Sequence, residues 1–288
     1  MKKKLSMLAA GALMVAALGM FGCSSGDPAT QPTDNNSSAN STAPDNSAAA
    51  NNDDAAVGGE IVLVNDGKLT VAASLDFPPF ENLNTDGEAE GFEVDLMKAI
   101  CDEMGLECNY LPSTKFDTIV PLISAGGKAD VGVSGFTVTP ERAKEIDFTD
   151  VIMDINQGVA VMKDSGITSV DQLEGKKIGA QSGTTGYEWA LENVEGAEVL
   201  AFDEMTGVFA ALQSGQVDAV AADLPVVQYY VLNAYQDAEV IAEVPTGEQY
   251  AIVVSKDNPA LTKALNEAIA KLKADGTYDQ LTQKWFGA

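Results

Sequence analysis

Beyond about residue 58, apolar and polar positions follow two rhythms that call for two kinds of element. Over residues 92–104, Leu96, Met97, Ile100, Cys101 and Met104 fall on one helical face, which predicts an amphipathic helix. Short apolar runs predict strands at 68–74, 107–111 and 129–133, with a helix near 116–124 between the last two. The second half keeps the same rhythm, with strands expected near 177–180, 198–201, 217–221 and 250–254. Asn258-Pro259 then reads as an N-cap and first-turn pair for a helix burying Leu261, Leu265, Ile269 and Leu272. Asp275-Gly276 should stop it, and Thr277 with Gln280 predicts a capping box for one last helix. Strand–helix alternation of this kind indicates an α/β fold with largely parallel sheets. No internal sequence repeat is visible.

The first 58 residues obey neither rhythm. Lys2, Lys3 and Lys4 precede an apolar stretch from Leu5 to Phe21 that ends at Gly22-Cys23-Ser24. This is the pattern of an export signal over residues 1–22, with Cys23 placed to take a diacylglycerol and become the new N-terminus. A plain signal peptide or a single spanning anchor is the alternative, and Met20 and Phe21 are bulkier than the residues usual before a lipid-bearing Cys. Residues 23–58 are Ser, Asn, Asp, Thr, Ala and Pro with almost nothing apolar. They bury too little surface to offset chain entropy and are expected to form a disordered tether reaching about 30 Å.

Charge narrows the function. With 17 basic and 43 acidic residues the net charge is −26, which disfavours nucleic acid and any membrane surface held by charge alone. Cleavage at Cys23 removes three lysines and no acid, making the remainder more acidic still. The chain has no His, which removes the usual general base, the usual triads and the commonest zinc ligand. No metal and no cofactor are expected. Cys101 and Cys108, an even pair in an exported chain, are a candidate disulfide.

Five segments can carry chemistry. Ser74 to Glu81, Ser-Leu-Asp-Phe-Pro-Pro-Phe-Glu, is a Pro-stiffened aromatic loop after the first strand, where ligands of open α/β sheets sit. Its Phe77 and Phe80 serve equally well as core. Gly91-Phe92-Glu93-Val94-Asp95-Leu96 is an acidic helix start that the macrodipole alone explains. Ser134-Gly135-Phe136-Thr137, followed by Arg142, joins exposed backbone groups to a guanidinium fork suited to a carboxylate, although a lone Arg is more often in a surface ion pair. Gln181-Ser182-Gly183-Thr184-Thr185-Gly186 offers amides and hydroxyls at a helix N-terminus but lacks the spacing of a phosphate loop. Asp223 ends a strand, where on sequence alone it serves equally well as a cap for the helix that follows.

Together with Tyr278 and the Lys284-Trp285-Phe286-Gly287 end, these segments resemble the family 3 bacterial extracellular solute-binding proteins, the polar amino-acid receptors of ABC importers. The resemblance runs from about residue 60 to the C-terminus, and residues 91–104 fit the family's signature without a mismatch. It implies a two-lobed periplasmic-binding-protein-like fold of type II. Lobe one would be discontinuous, 60–152 and 251–288, with lobe two inserted at 157–246 and two crossing strands near 154–159 and 245–252 as the hinge. The resemblance further implies that Arg142 binds a free amino acid's carboxylate, aided by the amides of Thr137 and Thr185. Asp223, the Gly135 carbonyl and the Thr137 hydroxyl would take the ammonium. Phe77 and Phe116 would wall the side chain, with Ser134, Ser74 and Gln181 completing the pocket.

Ser74 stands where several relatives of basic or Gln specificity carry an acid, whereas Cys101 and Cys108 match the pair bridged in the Lys/Arg/His-binding branch. Asp76 or Glu81 could supply a carboxylate in its place, and the ligand's side chain stays open between neutral polar and cationic. The resemblance makes the chain a monomeric, lipid-anchored receptor on the outer face of the cytoplasmic membrane, with an ABC permease as partner. Two rivals remain: a ligand-sensing subunit acting on a separate signalling partner, and a dehydratase-type enzyme on the same fold.

Overall fold

The structure is a computed structural model and describes residues 59–287. The signal peptide, the lipid-bearing Cys23 and the tether expected over 1–58 lie outside the described residues. Chain order opens with β1 (Lys68–Ala72), β2 (Asp76–Phe77), β3 (Glu81–Leu83), β4 (Ala89–Glu90), α1 (Phe92–Met104), β5 (Glu107–Tyr110) and α2 (Phe116–Ala125). Next come β6 (Val131–Gly132), α3 (Arg142–Glu145), β7 (Asp147–Phe148), β8 (Met153–Met162), β9 (Lys177–Gln181), α4 (Thr185–Asn193) and β10 (Glu198–Phe202). The chain continues with α5 (Met205–Gln213), β11 (Ala219–Asp223), α6 (Leu224–Asn233), β12 (Ala238–Tyr250), β13 (Val253–Val254), α7 (Pro259–Ala274) and α8 (Thr277–Phe286).

Two five-stranded sheets form the two lobes, ordered β5-β1-β6-β13-β7 and β10-β9-β11-β8-β12. Each has three parallel strands extended on one side by two antiparallel pairings, so the pairing scheme repeats although the sequence does not. In the first, Leu69 and Val71 of β1 meet the buried face of α1, where Leu96, Met97 and Ile100 are fully covered. That face is the one the period predicted. The strands β8 and β12 belong to the second sheet and run on out of it. Their pairing continues past a register shift to Glu248↔Ile155 and Tyr250↔Met153, and a bridge between Tyr250 and Thr137 joins β12 to the first lobe.

The start of α1 is fixed by one glycine. Gly91 has φ 140°, and a Cβ there would lie 2.0 Å from the Phe80 carbonyl oxygen, so no other residue fits without moving the aromatic loop. At the far end, the Lys284 ammonium and the Trp285 indole N–H both donate to Asp95, at 2.7 and 2.8 Å. Asp95 thus anchors the C-terminal helix as well as suiting the helix start.

Three expectations change. The capping box at Thr277 does not form: Gly276, with φ 83°, takes the N-cap place of α8, and the Thr277 amide donates to Asp275 instead. The strand expected at 250–254 is divided, Tyr250 ending β12 and only Val253–Val254 joining the first sheet. The bridge between Cys101 and Cys108 is not formed in this structure; both are free, Cys101 buried and Cys108 half-buried. The Cys101 thiol shares a hydrogen bond with Cys108, and the Cys108 thiol also donates to the Met97 carbonyl at 3.4 Å. That shared hydrogen bond pushes the Cys101 thiol up and draws the Cys108 thiol down.

Candidate ligand-binding cleft

The carboxyl ends of β1, β6, β9 and β11 lead into the loops that hold the sequence-predicted residues, and the two lobes meet there. From lobe one, Arg142 opens the short α3 and turns its guanidinium back into the cleft. Its Nη1 donates to the Thr137 carbonyl at 2.8 Å, and its Nη2 crosses to the Gly183 carbonyl of lobe two at 3.0 Å. The guanidinium lies 5.3 Å from the Phe116 ring centre and 5.5 Å from that of Phe136, two rings stacked at 4.7 Å. Burial pushes the Arg142 value down, and the charges of Asp223 and Glu248 oppose that.

From lobe two, Asp223 ends β11 with its side chain buried. It occupies the N-cap place of α6, yet makes no side-chain bond to that helix. Its carboxylate instead accepts from the Tyr250 hydroxyl and from the Gln157 side-chain amide. The capping role is thereby excluded. Burial raises Asp223 to about 7, against the lowering hydrogen bond from Tyr250 and with Glu248's charge adding to the rise. Thr137 and Thr185 face each other across the cleft, hydroxyl to hydroxyl at 3.4 Å.

Beneath this surface sits a second pair of acids. Glu81 and Glu93 are fully buried, each on a different element of lobe one. Glu93 accepts the Gly135 N–H at 2.9 Å, and Glu81 accepts the Ser134 hydroxyl at 2.8 Å. Burial raises both, Glu81 well above the usual carboxylate range, and the charge of Glu93 adds to the rise at Glu81. They fix the Ser134–Gly135 backbone. Gly135 has φ 57°, and a Cβ there would come within 2.9 Å of Phe77 and 3.0 Å of Tyr250. The strand end can be this close to both rings only because it has no side chain.

The structure brings Arg142, Thr137, Thr185, Gly135 and Asp223 together, with Phe77 and Phe116 buried beside them. Ser134 is buried and spent on Glu81 and the Ser74 backbone. Ser74 donates to Asp76 at 2.9 Å, and Gln181 donates to the Asp203 carbonyl at 3.1 Å, so both side chains serve the loops around the cleft. Neither acid left open as a partner for the ligand's side chain is free for it. Asp76 accepts the Met205 N–H of lobe two at 2.6 Å, and Glu81 lies under the Ser134 loop. Three residues of the cleft escaped the sequence reading: Gln157, Glu248 and Tyr250. Glu248 and Tyr250 lie two apart on one strand and so share a face, a signal that was available.

Among the described residues no group of His, Cys, Asp and Glu is arranged to hold a metal. The profile of the bacterial extracellular solute-binding proteins, family 3, matches residues 69–288. The ABC transporter arginine-binding protein 1 of Escherichia coli (strain K12) is 34% identical over 224 residues, covering 76% of this chain and 90% of that protein. Among solved structures, an ancestral arginine-binding protein bound to glutamine matches at 37% identity and TM-score 0.72, over 77% of this chain and 99% of that one. The ancestral amino acid-binding protein AncCDT-1, a precursor of cyclohexadienyl dehydratase, matches at 36% identity and TM-score 0.71, over 76% and 96% of the two chains.

Proposed function

This chain belongs to family 3 of the bacterial extracellular solute-binding proteins, and from that premise we propose that it captures a free amino acid in the cleft and hands it to an ABC importer. The observation that supports the reading is the placing of opposite charges on opposite walls of one cleft, half-buried Arg142 from lobe one and buried Asp223 from lobe two. A free amino acid is a zwitterion, and leaving either of its charges buried and unpaired costs several kcal/mol. A cleft with one cation and one anion on opposite walls answers both charges at once.

In this reading Arg142 gives up its two carbonyl partners and takes the ligand carboxylate with both arms, joined by the amides of Thr137 and Thr185. Asp223, the Gly135 carbonyl and the Thr137 hydroxyl receive the ammonium. Phe77 and Phe116 flank the side chain, and Ser134, Ser74 and Gln181 support the loops that place these groups. Residues 60–152 and 251–288 move as one lobe and 157–246 as the other, about the crossing strands. Cys23 carries the lipid that holds the receptor to the outer face of the cytoplasmic membrane, where the oxidising surroundings join Cys101 to Cys108. The receptor works as a monomer and as a binding protein; the matched relatives are themselves named as binding proteins.

A thermal-shift screen of the twenty amino acids plus cystine, ornithine and citrulline tests this. A ligand at a hundred times its Kd stabilises the folded state by about 2.7 kcal/mol, which is read directly as a rise in Tm. A screen in which no compound raises Tm overturns the reading.

A further inference from the structure

We propose that Glu248 is the second carboxylate of the ammonium subsite, acting beside Asp223 to select ligands with a free amino group. The inference rests on the amino-acid reading above and adds a residue to it. Glu248 comes from β12, the crossing strand, and so belongs to neither wall of the cleft while touching both. Its Oε2 accepts from the Thr137 hydroxyl of lobe one at 3.1 Å and from the Thr185 hydroxyl of lobe two at 2.7 Å. It also accepts from Gln157 Nε2 at 3.1 Å, and that same nitrogen donates to Asp223 Oδ1. One nitrogen therefore holds two acids.

An amide nitrogen suits this place poorly. It has two hydrogens, no net charge, and three acceptors within reach, the third being the Thr185 hydroxyl at 3.2 Å. Its own carbonyl oxygen is buried with no hydrogen-bond partner, and turning the amide over would aim that oxygen at two carboxylates. A primary ammonium has three hydrogens and a full positive charge. Placed beside that amide it would meet Asp223, Glu248 and the Gly135 carbonyl together and relieve the repulsion between the two acids. Glu248 does not stand in for a ligand carboxylate here, because both donating arms of Arg142 go to the carbonyls of Thr137 and Gly183 instead.

The charge count extends the argument. Asp223 and Glu248 face a single guanidinium, Arg142, with the Tyr250 hydroxyl and the Gln157 amide as neutral neighbours. Once Arg142 turns to the ligand carboxylate, the ligand's ammonium is the cation left to face the two acids, and a ligand without an α-amino group places none beside them.

The test uses L-arginine, L-glutamine and their counterparts lacking the α-amino group, 5-guanidinopentanoate and 4-carbamoylbutanoate. Each is titrated calorimetrically into the wild type, Glu248→Gln and Glu248→Asp. Glu248→Gln should weaken the amino acid at least tenfold and change the deaminated counterpart less than twofold. Glu248→Asp, which keeps the charge, should retain most of the preference for the amino group and carries the test if Glu248→Gln does not fold. Proton release on binding at pH 7, read from heats in buffers of different ionisation enthalpy, should shrink in Glu248→Gln, since Asp223 loses the charge that adds to the rise burial gives it. Equal losses for both members of a pair would overturn the proposal and leave Glu248 a hinge strut. Gains for both would overturn it by making Glu248 a competitor of the ligand carboxylate. If no amino acid binds the wild type in the thermal-shift screen, the amino-acid reading itself fails, a different outcome from either of these.

Discussion

The two lobes pair their strands in the same scheme and send loops into the same cleft, yet they furnish it differently. Lobe one brings large rings and a cation: Phe77, Phe116 and Phe136, with Arg142 lying over two of them. Lobe two brings small hydroxyls and an anion: Thr184 at the N-cap of α4, Thr185 behind it, and Asp223. The loop of lobe one is held from beneath, its Ser134 hydroxyl and Gly135 N–H donating to two fully buried acids. A lobe alone can satisfy half of a zwitterion. A ligand shifts an opening equilibrium only by its difference in affinity between the two states. In the proposed reading, opposite charges on opposite lobes create that difference, because an open form would offer them one at a time.

Removing the cation of lobe one should break the comparison most severely. Arg142→Ala leaves the ligand carboxylate without its main partner, a loss of about 2–5 kcal/mol, or at least about thirtyfold in Kd. Calorimetry on the ligand found in the screen reads it, while Tm without ligand should barely move. Unchanged affinity would mean that the cation of lobe one takes no part in binding.

The anion of lobe two should show itself through pH. The folded value of Asp223 is raised from 3.8 to about 7, so the folded state prefers the protonated acid. Without ligand, its contribution to stability is intact below about pH 4, declines as pH rises between 4 and 7, and is gone above. At about 1.4 kcal/mol per unit, the span amounts to a few kcal/mol. Asp223→Asn removes this slope. Denaturant melts at pH 5 and pH 8 should show the variant gaining on the wild type at the higher pH even as it loses the ligand. The raised Glu81 and Glu93 are present in both proteins and cancel. An identical pH dependence in the two would remove Asp223 from the buried cleft.

The smallest effect concerns lobe one alone. Joining Cys101 to Cys108 closes a short loop, which limits the gain to about 2–3 kcal/mol. Thiol counting on the unfolded, unreduced exported chain should find neither free, and reduction should lower stability without changing ligand affinity. Two free thiols would leave the hydrogen-bonded pair as the final state.

Periodicity made some elements plain. The apolar spacing over 92–104 gave α1 its full extent, and Asn258-Pro259 marked the start of α7, because a helix face and a cap are written in neighbouring residues. Thr277 misled for the opposite reason. A capping box is a local pattern, but the backbone conformation of Gly276 decides which residue stands outside the helix. The strand at 250–254 was misplaced because an apolar run does not say which sheet it joins. The crossing of β12 into the first lobe divides that run at Tyr250.

The family, the α/β alternation, the net negative charge and the interest of Arg142 and Asp223 were legible in the chain alone, because each is carried by residue type or by spacing. What those residues face was not. Asp223 turns away from the helix it precedes because Tyr250 and Gln157, distant in sequence, donate to it within a buried space. Glu248 reached the cleft unforeseen: a crossing strand was expected at 245–252, but which of its side chains turn into the cleft depends on the register shift that precedes Glu248. Burial and partnership depend on residues far apart in the chain coming together, and no local pattern encodes that.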